Sequence, residues 1–201
     1  MKNNSIFSTK NLVSIAMLSA VACLLMFFEF NLPFLPAFYK LDFSEVAVLI
    51  GGFALGPLSA VIIEVFKVLL LLLFRPTSTM FVGELANIVI GCAFVVPAAL
   101  VYQKHKTKNA AMLGMLIGGI NMCIIGALVN AFVMLPFFAY LYGMQISDLV
   151  AMGSALNGNV TGIFSFVILM TTPLNLIKAI IDFILTNLLY KRISVLLKRT
   201  S

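Results

Sequence analysis

Two pairs of ionisable residues lie inside long apolar stretches of the sequence. Glu64 and Lys67 are three residues apart, and Lys178 and Asp182 are four apart. On a helix, either spacing puts both side chains on one face, so each pair can form an ion pair. Charged residues within membrane segments are also the first candidates for a binding or transport site. The spacing alone leaves both roles open.

Polar residues also lie near one end of several different apolar runs. Asn175 precedes Lys178 by about one helical turn, and Glu84 and Asn87 begin another run on one shared face. Asn130 lies in the outer half of a third run. Each has a structural alternative, because Glu84 can stabilise a helix N-terminus and a membrane asparagine can bond neighbouring helices. Their convergence at one end favours a pocket for a planar, partly polar organic ligand.

The sequence gives little support for catalytic chemistry. The sequence has no GxxxxGK[ST] nucleotide-binding loop and no HExxH zinc motif, and its only histidine, His105, stands in a basic connector. Cys23, Cys92 and Cys123 lie in apolar runs without CxxC spacing, which is typical of inert buried thiols. We therefore expect no enzyme activity, no metal site and no resident cofactor.

The composition places the chain in a membrane. Hydrophobic residues make up 62% of the 201 residues and charged residues only 10%, whereas soluble domains have about 45–50% and 25%. The apolar runs predict one all-α integral membrane domain over residues 1–201 with six transmembrane helices. Thr171, Thr172 and Pro173 have the composition of a helix start. The predicted spans are approximately 11–30, 44–55, 57–74, 83–102, 109–135 and 172–192.

The basic residues predict the orientation of this bundle. Nine of the thirteen lie at the N-terminus, in the connector 103–108 or at the C-terminus, whereas the opposite loops hold only Lys40 and Arg75. The side rich in lysine and arginine is the cytoplasmic one, so both termini are expected in the cytoplasm. Six crossings satisfy this arrangement, and the bias gives no sign of nucleic-acid binding.

Five stretches resemble one family of membrane proteins. They are FEFNLPFLP (28–36), KLDFSE (40–45), GGFALGP (51–57), GELAN (83–87) and PLNLIK (173–178). Together with the run of hydrophobic segments from about residue 12 to 192, the chain resembles the riboflavin-specific substrate-binding (S) subunit of energy-coupling factor (ECF) transporters. The sequence departs from the family pattern at Leu174 and in the turn over residues 74–77.

The resemblance implies a function, partners and site residues. It implies a six-helix subunit of the bacterial plasma membrane that binds riboflavin at the extracellular side. It also implies partnership with a membrane coupling protein and two ATP-binding-cassette ATPases. The ligand-binding residues implied by the matched motifs and the polar convergence are Leu41, Asp42, Phe43, Glu84, Asn87, Asn130, Asn175 and Lys178. Ala16 and Ala20 match the alanine pair that docks on the coupling protein, although they could equally pack inside the bundle.

Two other classes of function, a secondary transporter and an intramembrane enzyme, remain open at this point, and within the preferred class the identity of the ligand remains open. An S subunit for another vitamin or flavin, such as thiamine or flavin mononucleotide, would share most of these features. A self-sufficient proton-coupled secondary transporter could use Glu64, Glu84 and Asp182 as a proton relay. An intramembrane enzyme is less well supported, because the sequence offers no recognisable nucleophile and base.

Overall fold

Helices account for most of the chain, as its apolar runs predict. The computed structural model describes the backbone of residues 8–199 and the side chains of residues 8–190. The helices are α1 (Thr9–Phe27), α2 (Ser44–Leu55), α3 (Pro57–Phe74), α4 (Val82–His105), α5 (Lys108–Val129), α6 (Leu135–Leu141), α7 (Ile146–Leu156), α8 (Ile163–Phe166) and α9 (Thr172–Arg199). The all-α expectation is confirmed for this part of the chain.

Local chemistry explains several helix boundaries. The Thr107 hydroxyl oxygen accepts a hydrogen bond from the backbone N–H of Ala110 (3.2 Å), which caps the start of α5. Between α2 and α3 the backbone turns at Gly56, whose φ of +98° lies in the region that glycine favours. Pro57 then takes the first position of α3, where its missing N–H costs nothing.

Two helices continue through π-helical turns. The chain runs from α5 through Asn130–Met134 into α6, and from α8 through Val167–Thr171 into α9. The predicted helix start at Thr171 to Pro173 is therefore wrong, because the backbone is helical on both sides. The Thr172 hydroxyl donates instead to the carbonyl oxygen of Val167 (3.2 Å). Pro173, which lacks an N–H, follows directly on a turn where the hydrogen-bond ladder already changes register.

Five helices in the described part of the chain are long and apolar enough to cross a membrane. Two of them are longer than predicted, because the π-helical turns extend them to Lys108–Leu141 and to Ile163–Tyr190 and beyond. The predicted second span, α2, has only 12 residues, about 18 Å at the α-helical rise. The structure therefore supports a membrane protein with five long apolar helices and one short, largely buried helix.

The nine basic residues on the predicted cytoplasmic side are only partly covered by the described side chains. Lys10 and the basic residues of the connector are exposed. Lys2 lies outside the described residues, and the side chains of Lys191, Arg192, Lys198 and Arg199 also lie outside the described part.

Small residues let α4 and α5 pack closely. A Cβ on Gly114 would lie 2.6 Å from the carbonyl oxygen of Ala98, and a Cβ on Gly118 would overlap the carbonyl oxygen of Phe94. Both glycines and both α4 residues are buried. Backbone atoms cannot swing aside as a side-chain end can, so this interface depends on the missing Cβ atoms.

The face of α1 that carries Ala16 and Ala20 points away from the bundle. Both alanines are exposed, as are Met17 and Leu24, whereas Ile15 and Ser19 are buried. The alternative that this alanine pair packs inside the bundle is therefore excluded.

The α4–α5 contact predicts a strong effect of one added methyl group. Gly118→Ala should lower the free energy of unfolding by about 1–3 kcal/mol, because the new Cβ forces two backbones apart. Gly158→Ala is the control, since a Cβ there has open space around it. Thermal unfolding in detergent measures both variants, and equal melting temperatures would contradict the close contact.

Candidate ligand pocket

The loop between α1 and α2 is folded into a defined shape. Phe30 and Leu41 form an antiparallel bridge, with backbone hydrogen bonds of 3.0 and 2.9 Å in the two directions. The Asn31 side-chain amide donates to the carbonyl oxygens of Ala37 and Tyr39 inside the loop. These bonds position residues 38–42 against the helices beneath.

Tyr39 joins this loop to both π-helical turns. Its hydroxyl donates to Oδ1 of Asn130 (3.0 Å) and shares a second hydrogen bond with the hydroxyl of Thr171 (2.5 Å). All three side chains are buried. Burial raises the pKa of Tyr39 well above its ordinary value, although its bond to Thr171 opposes the shift. Tyr39 therefore remains a neutral donor at physiological pH.

A cavity of about 280 Å³ lies beneath this loop. Its volume is close to the lower end of the range for small-molecule pockets. The wall takes residues from the loop, from α1, α2, α3, α4 and α9, from the turn after α3, from the α5–α6 segment and from the π-helical turn before α9. Apolar contacts come from residues such as Phe38, Met134, Phe138 and Leu174, and amide groups come from Asn87, Asn130 and Asn175.

A chain of ion pairs lies at one side of the cavity. Lys178 Nζ is 2.9 Å from Asp42 Oδ2 and 3.4 Å from Glu45 Oε1, and Lys67 Nζ is 2.7 Å from that same Glu45 oxygen. Lys67 Nζ is also 2.7 Å from Glu64 Oε1, which adds another ion pair to the same chain of charges. All five side chains are buried.

Of the two helical pairs that the spacing allows, one forms and the other does not. Glu64 and Lys67 form their ion pair. Lys178 reaches across to Asp42 and Glu45 on other elements instead of bonding Asp182 on its own helix. The Asp182 carboxylate is buried and lacks a hydrogen-bond partner among the described residues. A flexible lysine stem allows this choice, and only the fold brings the two other acids within reach.

Asp42 is held as a carboxylate at the end of the loop. Burial alone would raise its pKa, but attraction to Lys178 and Lys67 and hydrogen bonds from Ser44 and Lys178 lower it below its ordinary value. Ser44 donates both its backbone N–H (2.8 Å) and its hydroxyl (2.5 Å) to Asp42 Oδ1. The loop is therefore tied to α2 and to α9 through one carboxylate.

The structure brings most of the predicted ligand-binding residues together. Six of them line the cavity: Asp42, Glu84, Asn87, Asn130, Asn175 and Lys178. Leu41 and Phe43 do not lie on its wall. The side chain of Leu41 is fully buried in the apolar cluster under the loop, and Phe43 packs against Phe30 with ring centroids 5.8 Å apart. Because neighbouring residues of an extended segment point to opposite sides, the segment that turns Asp42 inward turns these two away.

Some of the predicted residues already have partners, and some have unused hydrogen-bonding atoms. Glu84 accepts a hydrogen bond from the Thr79 hydroxyl (2.8 Å). Asn175 Nδ2 and Asn87 Oδ1 are buried without a hydrogen-bond partner among the described residues. Leaving such atoms unpaired costs free energy, so a wall that carries both favours a polar ligand.

The cavity wall also contains residues that the sequence did not indicate as ligand contacts. Three polar ones that form hydrogen bonds or ion pairs there are Tyr39, Glu45 and Thr171. The sequence does contain a signal for Glu45, because it is an acidic residue at the start of an apolar run. The same kind of signal indicates Glu64, an acidic residue within an apolar run. The sequence around Thr171 indicates a helix start rather than a ligand contact. The hydrogen-bond partners of Tyr39 lie about 90 and 130 positions away in the sequence, so local spacing does not indicate them.

The mouth of the cavity carries a separate, more exposed ion-pair group. Glu29 pairs with Lys40 (2.5 Å) and with Arg75. These residues belong to the loop and to the turn after α3, so the group joins two segments at the rim. Within the described residues no three side chains are placed to bind a metal ion.

Comparisons with known proteins connect this architecture to a transporter family. The family described as ECF transporter, substrate-specific component, matches residues 10–190. The chain is 36% identical over 192 residues to "Riboflavin transporter RibU" of Staphylococcus aureus (strain TCH60), covering 94% of this chain and 93% of that protein. It is 30% identical to "Riboflavin transporter FmnP" of Bacillus subtilis (strain 168), covering 90% of each.

A solved structure has the same fold. It is described as "Structure and mechanism of the S component of a bacterial ECF transporter" and superposes with a TM-score of 0.72 at 35% sequence identity. The match covers 94% of this chain and 98% of that chain. These relatives are transporters rather than enzymes, as the sequence predicts.

The buried ion pairs predict a large difference between two lysines. Lys67→Met should lower the free energy of unfolding by about 3–5 kcal/mol, because Glu45 and Glu64 lose the cation between them. Lys40→Met removes a partly exposed pair at the rim and should cost about 1 kcal/mol or less. Thermal unfolding of both variants in detergent checks the contrast, which similar melting temperatures would refute.

Proposed function

The chain belongs to the substrate-specific component family of ECF transporters, and from this we propose that it is the riboflavin-binding subunit of a bacterial vitamin uptake system. The observation that carries the choice of substrate is the near-full-length similarity to two proteins named riboflavin transporters. The pocket supports the same choice through its chemistry.

Riboflavin combines a flat ring system, a hydrogen-bonding pyrimidine edge and a hydroxylated ribityl chain. The aromatic and methionine side chains Phe38, Met134 and Phe138 give the cavity an apolar surface suited to the rings. The amides of Asn87, Asn130 and Asn175 can bond the polar edge, because an amide offers both donors and an acceptor. The pocket can therefore contact both parts of such a ligand.

We assign different roles to the charged residues of the wall. Lys178 has three donors, of which Asp42 and Glu45 occupy two, so it can give one to the ligand. Asp42 orients Lys178 and anchors the loop. Glu84 is placed at the start of α4 to accept from ligand hydroxyl groups. Leu41 and Phe43 support the loop from behind the wall rather than contacting the ligand.

We further propose six crossings, with both termini in the cytoplasm and the pocket open to the extracellular side. The five long helices and the short α2 would make up the six crossings, and the loop before α2 would cover the outer end of the bundle. The clustering of basic residues at both termini and in the connector supports an even number of crossings, because it puts both chain ends on the same side of the membrane. The protein would then be a multi-pass protein of the cell membrane.

Energy would come from partner chains. The sequence has no nucleotide-binding loop, so an ECF coupling protein and two ATPase subunits would drive release of the vitamin into the cell. The exposed alanine face of α1, with Ala16 and Ala20, allows another helix to approach closely. Riboflavin would be the transported ligand, with no cofactor involved.

Titration of the purified protein with riboflavin tests the substrate. We expect saturable binding of riboflavin, measured through the quenching of flavin fluorescence. We also expect a yellow preparation if the vitamin is retained during purification. Flavin mononucleotide and thiamine serve as competitors. Thiamine binding without riboflavin binding would assign the pocket to another vitamin.

The same titration tests the proposed ligand contacts. Asn175→Ala should weaken riboflavin binding by about 1–3 kcal/mol, because one hydrogen bond to a buried polar group is lost. Asn121→Ala is the control: Asn121 donates to the Ala93 carbonyl oxygen (2.8 Å) and does not line the cavity. Equal dissociation constants for the two variants would remove Asn175 from the ligand contacts.

Coupling to the partner can be separated from ligand binding. Ala16→Leu combined with Ala20→Leu should abolish co-purification with the coupling protein and ATP-dependent uptake, because the added bulk blocks close helix contact. Riboflavin binding by the isolated chain should persist, since the exposed alanines lie outside the pocket. Met17→Ala, on the same exposed face, is a control that adds no bulk. Uptake by the double variant at the normal rate would exclude this face as the docking site.

A further inference from the structure

We propose that Gly126 is a positioning residue for the pocket, because its lack of a side chain leaves the space that the amide of Asn175 occupies. The inference deepens the proposed function and rests on it, because the consequence is measured on the vitamin. Gly126 lies on α5 behind the pocket wall and is buried, but it does not itself line the cavity. Any effect of Gly126 on the ligand must therefore pass through another residue.

The contact between α5 and α9 identifies that residue. A Cβ added to Gly126 would overlap Nδ2 of Asn175 and would lie 3.2 Å from its side-chain carbonyl carbon. Asn175 is 95% buried, since only 5% of its surface is exposed, and its Nδ2 atom has no hydrogen-bond partner among the described residues. The amide is thus held by the shape of the space at Gly126 rather than by a hydrogen bond on its nitrogen.

Gly126 also supports a second amide of the pocket. Its carbonyl oxygen accepts a hydrogen bond from Asn130 Nδ2 (2.8 Å), which leaves Asn130 Oδ1 for the Tyr39 hydroxyl. One residue thus orients two asparagines, one through its carbonyl oxygen and one through its lack of a side chain. Replacement by alanine keeps the carbonyl oxygen and removes only the space for Asn175.

We expect this replacement to weaken ligand binding rather than to lower the free energy of unfolding. The atom that meets the new methyl group is the end of a flexible side chain, which can rotate away. At Gly118, by contrast, the obstacle is the carbonyl oxygen of Phe94. Gly126→Ala should therefore keep a melting temperature near that of the unchanged protein while its Asn175 amide moves to another rotamer.

The experiment compares four purified chains by riboflavin titration and thermal unfolding. They are Gly126→Ala, Asn175→Ala, the double variant and Gly119→Ala. Gly119 is the matched control, because it is a buried glycine two helical turns earlier on the same face of α5, where a Cβ would meet only the Cβ of Ala179 at 3.2 Å. Gly126→Ala should weaken binding about tenfold, as Asn175→Ala does, and Gly119→Ala should stay within about twofold.

The double variant distinguishes positioning from general disruption. If Gly126 acts through Asn175, the double variant binds no more weakly than Asn175→Ala alone, because the two losses are one and the same. Losses that multiply, or a Gly126→Ala chain that binds as tightly as the unchanged protein, would overturn the proposal. If Gly126→Ala cannot be purified, recovery of a folded chain in the double variant identifies Asn175 as the obstacle, and no recovery refutes it.

A ligand-free crystal structure of Gly126→Ala separates this proposal from the proposed function. Failure of the unchanged protein to bind riboflavin would contradict the function alone. The crystal structure would still decide the positioning: a displaced Asn175 amide supports it, and an Asn175 side chain in its original place refutes it.

Discussion

A lysine ammonium buried in an apolar helical bundle is tolerated only when carboxylates surround it, and this constraint organises the protein. Lys67 meets it through Glu45 and Glu64, and Lys178 meets it through Glu45 and Asp42. Because Glu45 serves both lysines, the ion pairs tie α2, α3, α9 and the loop before α2 into one unit. The short helix α2 is fixed in the interior by this charge pairing as well as by its apolar residues.

The pocket lies at the end of this charged unit, where the regular helices are interrupted. Two π-helical turns put Asn130 and Thr171 at the position of the Tyr39 hydroxyl, so one loop residue contacts both interrupted helices. Irregular turns of this kind are often found at functional sites, because they direct side chains that a regular helix would turn elsewhere. The pocket thus combines a side held by ion pairs with the amides of Asn87 and Asn175, each of which has a side-chain atom without a hydrogen-bond partner among the described residues.

The proposed division of labour follows from this arrangement. The pocket is lined near the loop and the ends of α1 and α3, whereas Ala16 and Ala20 lie on an exposed face in the middle of α1. A helix rises about 1.5 Å per residue, and Met26 on the pocket wall follows Ala20 by six residues and Ala16 by ten, so the two surfaces lie about 9–15 Å apart along α1. Under the proposed function, variants on one surface would therefore alter binding or coupling separately.

The sequence by itself determined the features that depend on composition and local spacing. Apolar length predicted the long helices, and the Glu64–Lys67 spacing allowed their ion pair. The polar residues near helix ends predicted five residues of the cavity wall, and the family resemblance implied a sixth, Asp42. Only the tertiary structure decided that Lys178 pairs with Asp42 rather than Asp182, that the helix at Pro173 continues, and that Leu41 and Phe43 turn away from the cavity. Those outcomes depend on which distant groups compete for one side chain or one backbone bond, and local spacing carries no information about such competitors.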